Sequence, residues 1–313
     1  AWDSSVRAHV VGFPNARDFG GSSMPQAVGQ ENISGLLTDA APGAAYSPAA
    51  GYSYVVINRT TDHKLAYTRR SSSGGWSNWV QLFDSPTFRA DSSPMVVTHD
   101  VAGGEKLFVI GVDTANVVQY ARYNPHSVAV DQAWTPIPRP ANVRFREVNA
   151  TSYGSRLYVV GTDEDAAGGN DHGTVWLGWF EAGVWQGWTN TGILSAGVAQ
   201  SPIVTPGIAV GADAKLYMYV RTATMEPREG ANWMEMHVYN SATGAWTRTD
   251  QAPLGGSDDK CGGAQGRITM IFRPHRTAAG AALASGNGAL WTWYSTDCDS
   301  TKRETHYQIG RAH

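Results

Sequence analysis

The chain has 313 residues, a formal net charge of −3 at pH 7 and only 16% charged residues, with 35 glycines, 12 tryptophans and 13 tyrosines. Its lysines and arginines form no basic patch in the sequence, which argues against nucleic acid as a partner because such binding requires clustered cations. The apolar stretches are too short for a membrane-spanning helix of about 20 residues. Few charges with many glycines and aromatics favour closely spaced strands over helices.

Five apolar runs recur along the chain after a first segment that contains HVVGF near Val10. Each run follows a turn containing Gly or Ser, and each is rich in alternating, β-branched and aromatic residues, which is the pattern of a strand. The five runs are YSYVVIN from Tyr52, KLFVIGVD from Lys106, RLYVVGTD from Arg156, KLYMYVR from Lys215 and RITMIFR from Arg267.

Each run belongs to a larger repeat. A short strand of small residues, often with Ser-Pro, precedes the run, and a third strand carrying an aromatic residue or His follows it. Four repeats then end in a tryptophan strand: GGWSNWVQL, QAWTPIP, GVWQGWTNTG and GAWTRTD. Spacing aligns LAYTRRSSSGGWSNW with TVWLGWFEAGVWQGW, so that Tyr67 matches Trp176 and the pairs Trp76–Trp79 and Trp185–Trp188 match each other.

A unit of roughly 50 to 60 residues with four short antiparallel strands is typical of a propeller blade. The sequence therefore predicts an all-β fold, a five-bladed β-propeller of four-stranded antiparallel blades that forms one domain over residues 1–313. We expect the N-terminal segment to pair with the last blade and close the ring. Six blades, with that segment as a degenerate one, is the alternative. The third-strand aromatic and the outer tryptophans should be cross-strand neighbours packed between blades.

Two cysteines, Cys261 and Cys298, flank the last repeat. A disulfide between them would constrain the unfolded chain by roughly 3–4 kcal/mol, and two buried free thiols are the alternative. The chain begins at Ala1 without an initiator Met, as a processed mature form would. We therefore expect a secreted protein with this disulfide.

The motif G-W-S-x-W-x-x-L, followed by an SPxV strand, an LFVIG-like strand and a third aromatic strand, resembles the tryptophan-rich β-propeller lectins of bacteria and fungi, which include fucose-binding members. Residues 74–123 carry the best match. The resemblance implies shallow sugar sites between blades, with aromatic rings on the sugar C–H face and polar groups on its hydroxyls. The residues carried over are Trp76, Trp79, Trp134, Trp185, Trp188, Trp246, Tyr67, Arg69, Tyr120 and Arg122.

Two features of the sequence limit this expectation. The Y-x-R pair of Tyr67–Arg69 and Tyr120–Arg122 is absent from the other three repeats, so we expect at most two or three working sites. Blade tryptophans also pack structurally in many propellers, which leaves a protein-interaction scaffold as one alternative. Trp79 and Trp188 lie next to turns and are better candidates for ligand contact than Trp134.

A propeller glycoside hydrolase is the other alternative. Such an enzyme needs two carboxylates that converge on the central funnel from the inner strands. The candidates are Asp18 in NARDFGG, Asp100 in THDVAGG and Glu147 in FREVNA, each of which could instead be a solvated turn carboxylate.

No cofactor is expected, because the nine His show no zinc-binding spacing. One loop could hold calcium through its oxygen ligands, Asp163, Asp165, Asn170 and Asp171, but it lacks the EF-hand register, and a solvated acidic loop is the simpler interpretation. The sequence thus favours a secreted, non-enzymatic carbohydrate-binding propeller whose partner is a carbohydrate or glycoconjugate, and it leaves the oligomeric state open.

Overall fold

A computed structural model gives the arrangement of the chain. It describes the backbone of residues 5–11, 27–38, 40–71, 73–164, 172–196, 205–211, 213–222, 233–253, 262–274, 288–299 and 302–311, and side chains only between residues 36 and 249. This described part is built from β-strands joined by turns. It contains no helix long and apolar enough to cross a membrane.

The strands form six antiparallel sheets, each made of strands consecutive in the chain. The first sheet pairs β1 (Ser5–Val11) with β2 (Ala27–Leu37). Four sheets of four strands follow, named here blades I to IV. Blade I contains β3 (Gly43–Ser47), β4 (Tyr52–Asn58), β5 (Leu65–Ser71) and β6 (Val80–Gln81). Blade II contains β7 (Met95–Val101), β8 (Gly104–Val112), β9 (Val118–Tyr123) and β10 (Val130–Ile137).

Blade III contains β11 (Phe145–Tyr153), β12 (Arg156–Asp163), β13 (His172–Glu181) and β14 (Val184–Ala196). Blade IV contains β15 (Gly207–Val210), β16 (Leu216–Thr222), β17 (Trp233–Asn240) and β18 (Ala245–Pro253). The last sheet has three strands, β19 (Gly262–Pro274), β20 (Gly288–Asp299) and β21 (Lys302–Arg311).

The first strands of successive sheets lie side by side. Strand β7 lies between β3 and β11, and β15 lies between β11 and β19. This is the arrangement of a β-propeller, so the predicted all-β propeller with four-stranded antiparallel blades is confirmed. The predicted number of five such blades is wrong for the part of the chain that the structure describes, because the fifth repeat forms a sheet of three strands.

The N-terminal segment forms a sheet of its own, in which Val10 lies opposite Gly29. The structure describes this pairing and gives no pairing of β1 with the last sheet. Closure of the ring by this segment, and the alternative of six units, stay predictions.

Each blade buries both faces against its neighbours, because strand residues alternate between faces. At the junction of blades I and II, Tyr54 and Val56 pack with Leu107 and Val109. The junction of blades II and III buries Phe108 and Ile110 with Leu157 and Val159. The junction of blades III and IV buries Tyr158 and Val160 with Leu216 and Met218. Each such side chain contributes roughly 1.5–3 kcal/mol on burial, so these junctions hold consecutive blades together.

Candidate functional site

The outer-strand tryptophans occupy equivalent positions in the blades. In each of three blades, one tryptophan lies opposite a residue of the third strand. That residue comes three positions after Tyr67 in blade I, and three positions after the equivalent of Tyr67 in the other two blades. The pairs are Trp76 with Arg70, Trp185 with Phe180, and Trp246 with Tyr239. A tryptophan therefore pairs with the third strand in blades I, III and IV, from β14 and β18 in the last two and from the segment before β6 in blade I.

The third strand of blade III is offset by one residue from the predicted alignment. Tyr67 lies opposite Val56 in blade I, and its equivalent in blade III is Leu177, opposite Val160. Trp176 lies opposite Gly161 and hence on the other face of the sheet.

The cause of the offset is the turn between β13 and β14. It consists of only Ala182 and Gly183, both with positive φ (51° and 79°), as in a tight hairpin turn. The corresponding turn in blade I is longer, so equal spacing along the sequence does not mean equal register.

In blade I, the third-strand aromatic residue and the outer tryptophans lie on opposite faces of the sheet. Tyr67 packs in the cluster between blades I and II. Trp76 and Trp79 pack on the other face of blade I, against Val55 and Ile57. The expected contact between the third-strand aromatic and the outer tryptophans is therefore wrong in blade I.

Blades III and IV do make such a contact within one blade. Trp185 lies 4.9 Å from Phe180 of the third strand of blade III, and Trp246 lies 5.1 Å from Tyr239 of the third strand of blade IV. Trp176 packs against the same cluster as Trp185.

The junction of blades I and II places an arginine on an aromatic ring. The Arg69 guanidinium carbon lies 4.5 Å from the centre of the Tyr52 ring, and its Nη1 donates to the His126 carbonyl of blade II. Trp134 lies at the same junction, where its indole N–H donates to the Phe83 carbonyl at 3.1 Å and its ring lies 5.3 Å from Phe88.

The junction of blades II and III holds a second arginine over an aromatic ring. The Arg122 guanidinium carbon lies 5.9 Å from the centre of the Phe108 ring. Its Nε lies 3.2 Å from Asp131, which also pairs with Lys106 at 2.7 Å. A Cβ at Gly183 of blade III would lie 2.5 Å from Arg122 Nη1, so this glycine permits the close approach of the arginine to blade III.

The remaining candidates at this junction are packed aromatics. Tyr120 is 8% exposed, and its ring lies 4.7 Å from Phe180. Trp185 and Trp188 meet edge to face at 4.9 Å, and Trp188 lies 4.6 Å from Phe145. Through these contacts, both tryptophans stabilise the packing between blades II and III.

The junction of blades III and IV carries a continuous aromatic cluster of five rings. Neighbouring rings in it lie 5.1 to 6.2 Å apart: Tyr153, Tyr158, Trp179, Tyr239 and Trp246. All but Tyr158 are half-buried, so one edge of the cluster faces solvent.

An arginine lies on this cluster as well. The Arg156 guanidinium carbon lies 5.2 Å from the centre of the Trp179 ring, and its Nε bonds to Glu181 at 3.2 Å. Compared with the pair in blade I, the arginine and the aromatic residue have exchanged strands. Arg69 is on the third strand over Tyr52 of the second, whereas Arg156 is on the second strand under Trp179 of the third. The sequence prediction missed this site because it searched only for Y-x-R on the third strand.

The junction tyrosines are uncharged hydrogen-bonding groups near neutral pH. Burial raises the pKa of Tyr67, Tyr120 and Tyr239 above the ordinary value of 10.0. Arginine therefore supplies the positive charge at the junctions, and tyrosine supplies neutral O–H groups.

Blade IV adds a polar cluster on the face that packs against blade III. Glu235 accepts from His237 Nε2 at 3.1 Å and from Arg248 Nη1 at 3.0 Å. Glu235 and His237 are buried, whereas 54% of the Arg248 side chain is exposed. Desolvation lowers the pKa of His237, although the charge of Glu235 opposes this effect.

The candidate carboxylates of the hydrolase alternative do not all meet. Asp100 is exposed and lies opposite Glu105 beside the β7–β8 turn. Glu147 is 4% exposed and lies near the start of β11, within a bulge between Phe145 and Val148. Asp18 lies outside the described residues.

A cross-blade hydrogen bond shows how far apart Asp100 and Glu147 are. His99, the neighbour of Asp100, bonds to Ser152 Oγ at 2.8 Å. Ser152 is five residues beyond Glu147 on the same strand, which corresponds to about 16 Å at the strand rise. The structure therefore places these two carboxylates near opposite ends of adjacent inner strands.

A network of ion pairs that the sequence analysis did not predict lies near Glu147, at the start of β11. Asp91 precedes β7, accepts a hydrogen bond from Arg89 at 3.0 Å and forms an ion pair with Arg146 Nε at 3.0 Å. Arg89 also bonds to Glu164 at 2.8 Å. Burial alone would raise the pKa of Asp91, but the hydrogen bond from Arg89 and the charge of Arg146 outweigh it and lower the pKa.

Two further predictions fall largely outside the described residues. The first is the disulfide, because Cys261 and the side chain of Cys298 lie outside the described residues. The second is the calcium loop, because Asp165, Asn170 and Asp171 lie outside them as well. Asp163 is described, and its Oδ1 accepts the Arg144 backbone N–H at 3.1 Å. Within the described ranges, no group of three or more His, Cys, Asp or Glu side chains is arranged to hold a metal ion.

Comparison with known proteins places the chain among β-propellers. No protein family and no curated protein sequence matches it. The endo-arabinase of Bacteroides thetaiotaomicron is a structural neighbour with 14% identity and a TM-score of 0.51, over 90% of this chain and 95% of that one.

Two more neighbours bind sugars in their crystals. The α-L-arabinanase of Penicillium chrysogenum, complexed with arabinobiose, has 10% identity and a TM-score of 0.53 over 85% and 79% of the two chains. A mutant of the Aleuria aurantia lectin, complexed with Fucα1-6GlcNAc, has 14% identity and a TM-score of 0.50 over 85% and 78%. At these identities the likeness shows a shared fold.

Proposed function

We propose that the chain is a secreted carbohydrate-binding β-propeller whose sugar sites lie at the blade junctions, with the main site between blades III and IV. The observation that carries the proposal is an arginine guanidinium within 6 Å of an aromatic ring centre at three consecutive junctions. A partner of matching chemistry must offer both an apolar face and several hydroxyls, and a sugar ring offers both.

The junction of blades III and IV suits a sugar best. Its half-buried rings Trp179, Tyr239 and Trp246 present apolar faces for the C–H side of a pyranose or furanose. Arg156, whose side chain is 35% exposed, donates several N–H groups in a fixed plane to ring hydroxyls. The lectin and the arabinanase among the structural neighbours hold sugars in their crystals, which supports a saccharide as the ligand class.

A glycan array tests the proposal. The array is probed with the unaltered chain, with Arg156→Gln, and with Arg139→Gln as a matched control, because Arg139 is an exposed arginine outside the aromatic sites. We expect binding to at least one glycan, about tenfold weaker binding by Arg156→Gln, and unchanged binding by the control. Absence of binding to every glycan would overturn the proposal.

Arginine variants are preferable to tryptophan variants in this experiment. Trp188 packs on Phe145 at 4.6 Å, and Trp79 packs on the Val55–Ile57 cluster. Replacing either tryptophan by Ala would remove core contacts together with any ligand contact, so a loss of binding would not distinguish the two effects.

Glycoside hydrolysis is the second candidate, and one observation favours it. Glu147 is 4% exposed at a bulge in an inner strand, and bulges often re-aim side chains beside active sites. The endo-arabinase and arabinanase neighbours suggest arabinan oligosaccharides as test substrates. Release of reducing sugar that Glu147→Gln abolishes, with Arg156→Gln still active, would favour hydrolysis over binding alone.

A further inference from the structure

Residues at or near the ends of the inner strands connect consecutive blades through hydrogen bonds. Ser47, His99 and Tyr153 occupy equivalent positions, since each lies across the first hairpin of its blade from Tyr52, Lys106 or Arg156. Ser47 Oγ bonds to Glu105 of blade II, His99 Nδ1 to Ser152 Oγ of blade III, and the Tyr153 hydroxyl to the Ala214 carbonyl of blade IV. Three successive junctions therefore share one kind of cross-blade bond, made by three different residue types.

The bond between blades II and III is made by a histidine that is almost fully buried. His99 is 2% exposed, and its ring packs edge-on to Phe108 at 6.0 Å. Its Nδ1 lies 2.8 Å from Ser152 Oγ. Its Nε2 is buried and has no hydrogen-bond partner among the residues that the structure describes. The ring thus has one nitrogen engaged across the junction and one nitrogen in an apolar environment.

The charged groups around His99 are few. Asp100 follows it in the chain, and Lys106 lies opposite it on β8. Arg122 of β9 lies over the Phe108 ring, and Asp131 of β10 pairs with both Lys106 and Arg122. From blade III the residues that approach are uncharged, namely Ser152 and the Ser155 backbone.

The neutral form of the His99 ring fits this environment, and the protonated form does not. Desolvation lowers the pKa of His99, although the Asp100 charge and the Ser155 backbone oppose the effect. A protonated ring would be a buried charge with no carboxylate bonded to either ring nitrogen among the described residues, and burying an unpaired charge is costly. The pair is not a Ser–His–Asp arrangement either, because no carboxylate in the described part of the chain bonds to the second ring nitrogen.

We propose that His99 is a pH-sensitive connection between blades II and III, and that its protonation opens this junction in mildly acidic solution. The other two cross-blade bonds, made by Ser47 and Tyr153, do not involve a histidine and stay closed over this range. Junction II–III is therefore the one whose cross-blade bond depends on a histidine. The other buried histidine of the described residues, His237 on the face of blade IV that packs against blade III, lies 3.1 Å from Glu235, whose carboxylate can accept a hydrogen bond from the protonated ring.

One consequence for ligand binding rests on the proposed function. Arg122 and Trp185 lie at the same junction, so a sugar held there would be released as the junction opens, whereas a sugar held between blades III and IV would stay bound over the first part of the titration. The opening itself does not require any sugar, and its test is independent of ligand.

Equilibrium unfolding in urea from pH 7.5 to pH 5.0 is the first test. The unfolded chain binds a proton with an ordinary histidine pKa of about 6.5, whereas the folded chain resists that proton at His99. The unfolding constant of the unaltered chain should rise below that pH, by up to about tenfold per pH unit for this one histidine. His99→Gln, which removes the titrating ring, should lose this part of the pH dependence.

His126→Gln is the matched control, because the His126 side chain is exposed. It should keep the full pH dependence of the unaltered chain. Equal pH dependence in His99→Gln and in the unaltered chain would overturn the proposal.

Hydrogen exchange followed by mass spectrometry locates the opening without any variant. After correction for intrinsic exchange, peptides from β7 and β11 should lose protection between pH 7.5 and pH 5.5, and peptides from β3 should not. Loss of protection at all junctions together, or at none, would contradict the proposal. A chain that opens in this way but binds no sugar would retain the pH-sensitive connection and refute only the proposed function.

Discussion

The contact between Trp185 and the third strand of blade III yields a quantitative prediction. A Cβ at Gly178 would overlap the Trp185 ring and would lie 2.7 Å from the Gly187 carbonyl oxygen. Ordinary non-bonded contacts are roughly 3.5–4.0 Å, so the ring must move by about 1 Å or more. It cannot move freely, because Phe180 and Trp188 each lie 4.9 Å from it.

Gly178→Ala should therefore destabilise the fold. Overpacking of a core costs about 1–3 kcal/mol, and a ring held on two sides belongs at the upper end. The lower chain entropy of unfolded Ala offsets this by roughly 0.4–1 kcal/mol. We expect a net loss of about 2 kcal/mol in the free energy of unfolding.

Urea unfolding followed by circular dichroism measures this loss, with Gly75→Ala as the matched control. A Cβ at Gly75 meets nothing within 4 Å, so the control should change stability by less than about 0.5 kcal/mol or increase it slightly. In a Trp185→Ala background, the cost of Gly178→Ala should fall by more than half. Equal effects of Gly178→Ala and Gly75→Ala, or an undiminished cost in the Trp185→Ala background, would refute the packing of Trp185 over this glycine.

Two further predictions concern buried polar groups. Asn58 Nδ2 donates to the Arg89 carbonyl at 2.6 Å. Asn58→Ala should therefore lower the free energy of unfolding, measured in urea, by about 1–3 kcal/mol. An unchanged free energy of unfolding would contradict this prediction and show that the Arg89 carbonyl finds another donor. Burial lowers the pKa of His237, so the folded chain resists the proton that the unfolded chain takes up near pH 6.5. The free energy of unfolding should therefore decrease as the pH falls, and this decrease should be smaller in His237→Gln. Thermal unfolding at a series of pH values measures it, and an equal decrease in the variant and the unaltered chain would contradict the prediction.

The propeller fold was predictable because its signal is repeated. Apolar runs such as those from Tyr52, Lys106 and Arg156 each have the short-range pattern of a strand, and their recurrence needs no knowledge of distant contacts. The number of complete blades was not predictable in the same way. The fifth repeat has a second strand like the others, yet its sheet contains only β19, β20 and β21 in the described part of the chain.

The candidate site was predicted in part. Tyr67 with Arg69, and Tyr120 with Arg122, do lie at blade junctions, and Arg69 and Arg122 lie on aromatic rings. Trp179 was missed because a two-residue turn shifts the register of blade III by one position, which exchanges the faces of the sheet.

Arg156 was missed for a different reason. The cation and the aromatic residue have changed strands between blades I and III, which conserves the spatial pair and destroys the sequence motif. Pairs such as Arg156 with Trp179 depend on strand pairing, and a single sequence does not contain that information.

Counting bound sugars per chain is the most direct test of the central claim that the junctions bind carbohydrate. Isothermal titration with the glycan that binds best on the array gives the stoichiometry for the unaltered chain and for Arg156→Gln and Arg122→Gln. We predict that Arg156→Gln removes one site, that a second site, where present, is removed by Arg122→Gln, and that Arg139→Gln removes none. A stoichiometry that neither junction variant changes would contradict the account.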